Sequence, residues 1–117
     1  RMVTISSSSA QSGSAHLAHY VAAKAGVIGL TRALALALVR HGITVNCVSP
    51  GMIDTPMLRR AEENRDIGKL EKIGPRVIPV GRLGTPEETA AACGFLCSDE
   101  AAFITGRVLG VNGGMVL

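Results

Sequence analysis

Aromatic residues are almost missing from this sequence, which has no tryptophan, one tyrosine and two phenylalanines among its 117 residues. Proteins that bind nucleic acids stack aromatic side chains on bases and surround them with clustered basic residues. Here the 12 basic and 9 acidic residues are spread along the chain, without a block of like charge. We therefore expect no nucleic acid as a partner, despite the net charge of +3.

Long apolar runs are lacking as well. The longest uninterrupted run covers residues 33–39, far fewer than the roughly 20 residues that a transmembrane helix needs. The basic residues Arg32 and Arg40 flank it directly. We therefore expect no membrane partner.

The cysteines are odd in number, which excludes a complete disulfide framework. Cys47, Cys93 and Cys97 each lie in an apolar stretch, so we expect reduced, buried thiols in a cytoplasmic protein. Cys93 and Cys97 are one helical turn apart, but no histidine or further cysteine pair has the spacing of a zinc finger. Packing in the core is favoured over a metal site, and we expect no metal.

Small and apolar residues are abundant instead. Hydrophobic residues make up 47% of the chain and glycine occurs 14 times, enough for a single domain over residues 1–117. This composition suits helices packed on a sheet with tight loops, so we expect the α/β class. The sequence begins at Arg1, directly before a strand-like run, and we expect it to be a fragment or to have lost an upstream segment.

The hydrophobic pattern predicts alternating strands and helices. The expected order is strand 2–6, helix 19–41, strand 43–48, a polar segment 56–75, helix 85–98 and strand 107–111. Gly42 is expected to end the first helix in the left-handed conformation, and Thr85 to cap the second in a capping box with Glu88. The polar segment 56–75, which includes Arg65 and Asp66, predicts one or two short exposed helices and a lid.

Strands joined by helical crossovers are parallel, so we expect the C-terminal half of a doubly wound, Rossmann-type sheet. In such sheets ligands bind at the carboxyl ends of the strands. Ser7 follows the first predicted strand, Pro50-Gly51 the second and Asn112-Gly113-Gly114 the third. We expect these three segments to meet at one edge, beside the lid.

Tyr20 and Lys24 are four residues apart on a predicted helix, so their side chains share one face. An ammonium group a few ångströms from a phenol favours the phenolate, which makes the phenol a useful proton relay. Such a phenol can deliver a proton to a carbonyl oxygen of a substrate, and Ser7 could hold that oxygen by a hydrogen bond. By itself this is a weak pattern, because a tyrosine and a lysine at this spacing often occur together by chance.

The wider context carries more information. Characteristic segments occur in order along the whole chain: Ile5-Ser6-Ser7, Tyr20 to Gly26, Val45-Asn46, Pro50-Gly51 with Thr55, Gly81 to Glu88, Phe95 to Asp99, and Ile104-Thr105-Gly106 through Asn112-Gly113-Gly114. In these segments the sequence resembles the short-chain dehydrogenase/reductase family, and most of all its 3-oxoacyl-acyl-carrier-protein-reductase-like members. The resemblance implies an oxidoreductase that transfers hydride between NAD or NADP and a ketone or secondary alcohol, possibly a 3-oxoacyl thioester.

The resemblance also implies a role for individual residues. Tyr20 would be the catalytic acid and base, Lys24 would assist it and bind the nicotinamide ribose, and Ser7 would orient the substrate oxygen. Tyr20 and Lys24 would thus belong to the cofactor site as well.

Four further residues would contact the cofactor by the same resemblance. Pro50-Gly51 would pass under the nicotinamide, while the backbone of Ile53 and the hydroxyl of Thr55 would meet its carboxamide. Residues 56–75 would close over a small carbonyl or alcohol substrate. Simpler explanations remain open, since Pro50-Gly51 could be a strand-ending turn and Thr55 a helix N-cap.

Several features of the family belong upstream of Arg1: the glycine-rich turn, the residue that reads the adenosine ribose, and the asparagine of the catalytic tetrad. We therefore expect that the dinucleotide-binding half is missing, that the chain alone is inactive, and that it folds poorly around an unpaired sheet edge. The longer enzyme is expected to be a homodimer or homotetramer. The alternative is a truncated, non-catalytic association module that docks on full-length homologues.

Overall fold

The fold is built on a parallel sheet of three strands in the order β1-β2-β3. The strands are β1 Met2–Ile5, β2 Val45–Pro50 and β3 Val108–Val111. This computed structural model describes residues 1–64 and 67–117, so Arg65 and Asp66 of the predicted lid lie outside the described residues. Parallel strands alternating with helices confirm the predicted α/β class.

Five α-helices connect and cover the strands in the described residues: α1 Ser9–Ser12, α2 Ala18–Leu38, α3 Pro56–Glu63, α4 Leu70–Val77 and α5 Pro86–Cys97. Short 3₁₀ turns follow α2 at Val39–His41 and α5 at Asp99–Ala101. The prediction of short helices in the polar segment is confirmed by α3 and α4, and α4 continues two residues past the predicted boundary. Helix α1 was predicted as loop.

The central strand, β2, forms the buried core of the sheet. Val45, Cys47 and Val48 are fully buried between the ladders to β1 and β3 and under α2 and α5. The strand was predicted two residues too early, because the β-branched pair Ile43-Thr44 resembles a strand in composition. It continues to Pro50 since a proline at the end of a strand needs no ladder donor.

Helix α2 rests on β1 and β2 through the buried residues Thr31 and Ala35. The Thr31 hydroxyl donates to the carbonyl of Val27 (2.7 Å) and lies 2.7 Å from the hydroxyl of Thr4 on β1. Gly42 ends the 3₁₀ turn with a φ of 71°, which confirms its predicted left-handed conformation.

By length and composition alone, Ala18–His41 is apolar enough to cross a membrane, with a mean hydropathy of 1.6. The prediction of no membrane partner was based on the longest uninterrupted apolar run, so it did not include the mean hydropathy of the whole helix. In the structure α2 contacts the sheet, but only 11% of its most apolar window is buried.

The start of α5 agrees with its prediction. The Thr85 hydroxyl accepts from the backbone N–H of Glu88 (3.2 Å), and the Glu88 carboxylate accepts from the backbone N–H of Thr85 (2.8 Å). Pro86 occupies the first turn, where its missing N–H has no helical partner to lose. The capping box therefore fixes where α5 begins.

The prediction that all three cysteines are buried is wrong in part. Cys47 is buried in β2, but Cys93 is only half-buried and Cys97 is exposed on α5. An apolar neighbourhood in the sequence did not reveal which side of α5 faces the sheet. Within residues 1–64 and 67–117, no group of three or more His, Cys, Asp or Glu side chains is placed to hold a metal ion.

Candidate active site

One cavity of about 430 Å³ brings together every residue that the sequence singled out as a site residue. Its lining includes Ser7, Tyr20, Lys24, Pro50, Gly51, Ile53 and Thr55. The cavity lies where β1 and β2 end, as expected for a parallel sheet. Sequence reasoning missed other lining residues, which carry no chemical motif: Met52, Met57, Leu58, Pro86 and Thr89.

Tyr20 and Lys24 lie in the first two turns of α2, on the face that borders the cavity. The Lys24 Nζ atom is 5.9 Å from the centre of the Tyr20 ring. It also donates a hydrogen bond to the carbonyl of Ile5 at the end of β1 (3.1 Å). The ammonium group is therefore held between the strand end and the phenol.

A second contact, which the sequence did not predict, ties Lys24 to the same strand end. The buried hydroxyl of Ser6 donates to the backbone carbonyl of Lys24 at 2.8 Å. Together with the bond from Nζ to Ile5, it fixes α2 against β1 by the backbone and the side chain of one residue. No sequence signal distinguished Ser6 within its run of serines.

Ser7 follows directly on β1 and begins the loop to α1. Its Oγ accepts from the backbone N–H of Ser9 at 3.3 Å. A hydroxyl that accepts in this way keeps its own proton for donation into the cavity. The Gln11 side chain secures the same loop by accepting from the buried hydroxyl of Ser49 on β2 (2.8 Å).

The Pro50-Gly51 pair has a packing role in this structure. Pro50 is the last residue of β2, and the N–H of Gly51 donates to the carbonyl of Val111 on β3 (2.9 Å). A Cβ atom at Gly51 would lie 2.8 Å from the Cα of Asn112, closer than real contacts allow. The glycine is therefore required by backbone packing, whether or not a ligand lies above it.

The third strand-end segment does not line this cavity as expected. Asn112 lies against Gly51. Both Asn112 and Gly113 border a second cavity of about 310 Å³, on the other side of Met52 and Ile53. The three strand ends share one edge of the sheet, but the loop after β2 separates the third from Tyr20.

Ile53 forms an isolated parallel bridge with Gly84, which precedes α5. Thr55 caps α3, since its hydroxyl accepts from the N–H of Leu58 (3.3 Å). The N-cap explanation of Thr55 therefore holds, and the residue lines the cavity as well.

Two exposed ion pairs secure the chain on either side of this bridge. Arg59 donates two hydrogen bonds to Asp54 (2.6 and 2.7 Å), and the pKa of Asp54 is lowered by these bonds. Arg82 pairs with Glu88 at 2.6 and 3.0 Å. The bonds from Arg82, and then that from the Thr85 N–H, lower the pKa of Glu88 to about 2.

Comparisons with known proteins agree on one family. The family model described as enoyl-(acyl carrier protein) reductase matches residues 1–116. The 3-oxoacyl-[acyl-carrier-protein] reductases FabG of Salmonella typhimurium and Escherichia coli K12 are each 46% identical to the chain over 117 residues. Acetoacetyl-CoA reductase of Rhizobium meliloti is 50% identical over 114 residues, or 97% of the chain.

The structural similarity is equally extensive. The crystal structure of YwfH, an NADPH-dependent reductase involved in bacilysin biosynthesis, matches 99% of the chain with a TM-score of 0.91 and 33% identity. The chain spans 46% of that protein and 46% of the length of the FabG and acetoacetyl-CoA reductase relatives. Over nearly its whole length, the chain thus belongs to the short-chain dehydrogenase/reductase family.

Proposed function

We propose that this chain is part of an oxidoreductase that transfers hydride between NAD(P)(H) and a ketone or secondary alcohol, with 3-oxoacyl thioesters as the substrate class. The observation that carries the proposal is that Ser7, Tyr20 and Lys24 line one cavity with the four residues expected to contact a nicotinamide. The relatives named as reductases of 3-oxoacyl and acetoacetyl thioesters support this substrate class.

In the direction of reduction, the phenol of Tyr20 delivers a proton to the carbonyl oxygen, and the hydroxyl of Ser7 holds that oxygen by a hydrogen bond. Lys24, fixed to Ile5 by its Nζ, places a positive charge near the phenolate that remains. NAD(P)H, when bound, supplies the hydride. In the reverse direction Tyr20 accepts the proton of the alcohol.

The residues present fit a nicotinamide. The backbone N–H and C=O of Ile53 have no hydrogen-bond partner in residues 1–64 and 67–117, and Ile53 lines the cavity of Tyr20. A carboxamide offers both an acceptor and donors, so it complements such a pair. The NADPH dependence of YwfH makes NADPH the first cofactor to test.

The substrate side of the cavity is apolar. Met52, Met57 and Leu58 line it, and Met57 lies on α3 at the start of the predicted lid. Thioether side chains adapt to flexible apolar ligands, which suits an acyl chain better than a sugar. We propose that α3 covers the acyl group during the reaction.

The test uses the protein expressed from its complete reading frame. We expect it to oxidise NADPH or NADH when acetoacetyl-CoA is added. Tyr20→Phe removes the proton donor, so kcat should fall by about a thousandfold, while the dissociation constant for the reduced cofactor changes little. A Tyr20→Phe protein that retains most of its activity would overturn the assignment of Tyr20.

We also propose that the complete protein is a cytoplasmic homo-oligomer that acts on a small molecule. Large apolar side chains of α2 are exposed, with Leu36 exposed to 81%. The alternative of a non-catalytic association module is not favoured, because the relatives that match the whole chain are named as reductases.

A further inference from the structure

The loop after β2 is held by two backbone hydrogen bonds to one residue. The N–H of Gly84 donates to the carbonyl of Met52 (3.0 Å), and the N–H of Asp54 donates to the carbonyl of Gly84 (2.8 Å). In a parallel bridge, a residue bonded to both neighbours of its partner leaves the partner's own N–H and C=O pointing away from it. Gly84 therefore turns the N–H and C=O of Ile53 to the opposite side.

The cavities on the two sides of the loop agree with this orientation. Ile53 lines both cavities, whereas Gly84 lines the second cavity and not the one with Tyr20 and Lys24. The free polar pair of Ile53 thus has the candidate active site on its open side. Ile53 belongs to no helix or longer strand, so the bridge to Gly84 is the backbone pairing that orients its N–H and C=O groups.

Glycine is required at position 84 by contact, since its φ is not in the left-handed region. A Cβ atom there would lie 2.7 Å from Cδ1 of Ile53, so either the isoleucine side chain or the loop would have to move. Gly84 in turn has a fixed position. It directly precedes the capping box of Thr85 and Glu88, to which Arg82 is paired at 2.6 Å.

We propose that Gly84 is a positioning residue that orients the backbone N–H and C=O of Ile53 to bind the carboxamide of a nicotinamide cofactor. This inference rests on the proposed function. It assigns to the segment before α5 a role in cofactor recognition, although Gly84 itself does not line the active-site cavity. The bridge and the ion pair of Arg82 with Glu88 act through Ile53 and not on the ligand.

The test compares two cofactors in the complete protein by fluorescence titration: NADPH and its reduced 3-acetylpyridine analogue, in which a methyl ketone replaces the carboxamide. The analogue keeps the acceptor but has no N–H to donate. The native protein should bind NADPH about tenfold more tightly, as expected for one well-placed hydrogen bond. Gly84→Ala should weaken NADPH binding and reduce this preference to about twofold.

A double variant tests whether the contact with Ile53 is the cause. Valine lacks Cδ1, so Gly84→Ala should reduce the preference for NADPH much less in an Ile53→Val background than in the native background. Gly94→Ala is the matched control, because a Cβ at this exposed position of α5 meets nothing within 4 Å. It should leave both dissociation constants unchanged.

Several outcomes would overturn the role of Gly84. They are a native protein that binds both cofactors equally, a Gly84→Ala variant with an unchanged preference, and a variant that binds both cofactors more weakly in the same proportion. If Gly84→Ala does not fold, Arg82→Gln decides the question, since it should reduce the preference in the same direction by about twofold. A native protein without measurable affinity for NADPH or NADH would instead contradict the proposed function itself.

Discussion

Asn46 shows how a buried polar residue on the central strand connects distant parts of the chain. It is 1% exposed, and its side chain donates to the carbonyl of Ile104 (2.8 Å) and accepts from the N–H of Arg107 (3.1 Å). Asn46→Ala would leave both backbone groups without these partners. We expect the free energy of unfolding of the complete protein to fall by about 3 kcal/mol in urea denaturation.

The control for this prediction is Asn64→Ala, which removes the same side chain at an exposed position. It should change the free energy of unfolding by less than about 0.5 kcal/mol. An Asn46→Ala protein as stable as the control would show that these bonds contribute nothing to the fold.

Lys24 is held at two points and faces the phenol, so its charge should matter more than that of other basic residues. Lys24→Met removes the ammonium group near Tyr20 and its bond to Ile5. We expect kcat/KM for acetoacetyl-CoA to fall by about a hundredfold or more. Arg107→Met removes an exposed charge outside the cavity and should leave kcat/KM within about twofold. Equal effects of the two variants would contradict the role of Lys24.

At the level of residues, the sequence singled out residues that the fold brings into one cavity, but not the residues that hold them in place. Ser7, Tyr20 and Lys24 could be selected because the segments around them resemble one family in order along the whole chain. Ser6 and Gln11 could not, because a serine or glutamine that bonds to the backbone or to another side chain has no distinguishing pattern. Gly51 was selected for a ligand, yet its contact with Asn112 depends on a strand that lies sixty residues further along the chain.

The capping box of α5 is the element-level feature with the clearest stability effect. Thr85→Ala removes the acceptor for the N–H of Glu88, and it should lower the free energy of unfolding by about 1 kcal/mol. Thr85→Ser keeps the hydroxyl and should recover most of this loss. Thermal denaturation of the native protein and both variants measures the difference. A serine variant as unstable as the alanine variant would mean that the hydroxyl is not the stabilising group.

The Glu88 carboxylate at the start of α5 makes stability depend on pH. Its pKa falls from an ordinary 4.5 to about 2 in the fold, because Arg82 and the Thr85 N–H bind the charged form. A lowered pKa adds stability above about pH 4.5, and this contribution is lost as the pH falls towards about 2. The melting temperature of Glu88→Gln should therefore lie below the native value near neutral pH and approach it in acid.

Glu87→Gln is the control for this pH dependence, because it removes the adjacent charge in the first turn of α5. Its difference from the native melting temperature should vary less with pH. If Glu88→Gln differed from the native protein by the same amount at every pH, the bonds from Arg82 and Thr85 would not be the cause.

Elements were predictable where their signals are local. Gly42 and Thr85 mark helix ends by their own backbone and side-chain chemistry, so both were identified correctly. Helix α1 was missed because its serines have no apolar periodicity. The bridge between Ile53 and Gly84 was also missed, since two isolated residues thirty positions apart acquire their pairing only in the folded chain.

The whole molecule leaves apolar surface that its described residues do not cover. β1 has β2 as its only strand neighbour within residues 1–64 and 67–117, and Met2 and Ile5 on it are partly exposed. The exposed side of α2 could not be predicted from periodicity, because α2 has apolar residues of its own on every side. Only Thr31 and Ala35 of α2 are buried.

The exposure of α2 leads to a prediction about assembly. Leu30 and Leu36 on α2, and Val39 in the 3₁₀ turn after it, are at least half exposed, and we expect this apolar surface to be a contact surface. If a second copy covers α2, the complete protein should sediment as a dimer or tetramer. Leu36→Lys would place a charge in that contact and should weaken association by at least about tenfold.

Sedimentation of Leu36→Lys is compared with that of Asn64→Lys, which adds the same charge at the exposed C-cap of α3. Flotation with lipid vesicles tests whether a lipid bilayer covers α2 instead of a second copy, since α2 also has the composition of a membrane span. Insertion into a bilayer would separate Lys24 from Ile5 and Thr31 from Thr4, so the native protein should stay with the unbound fraction. A native protein that is monomeric, or that floats with the vesicles, would contradict assembly through α2.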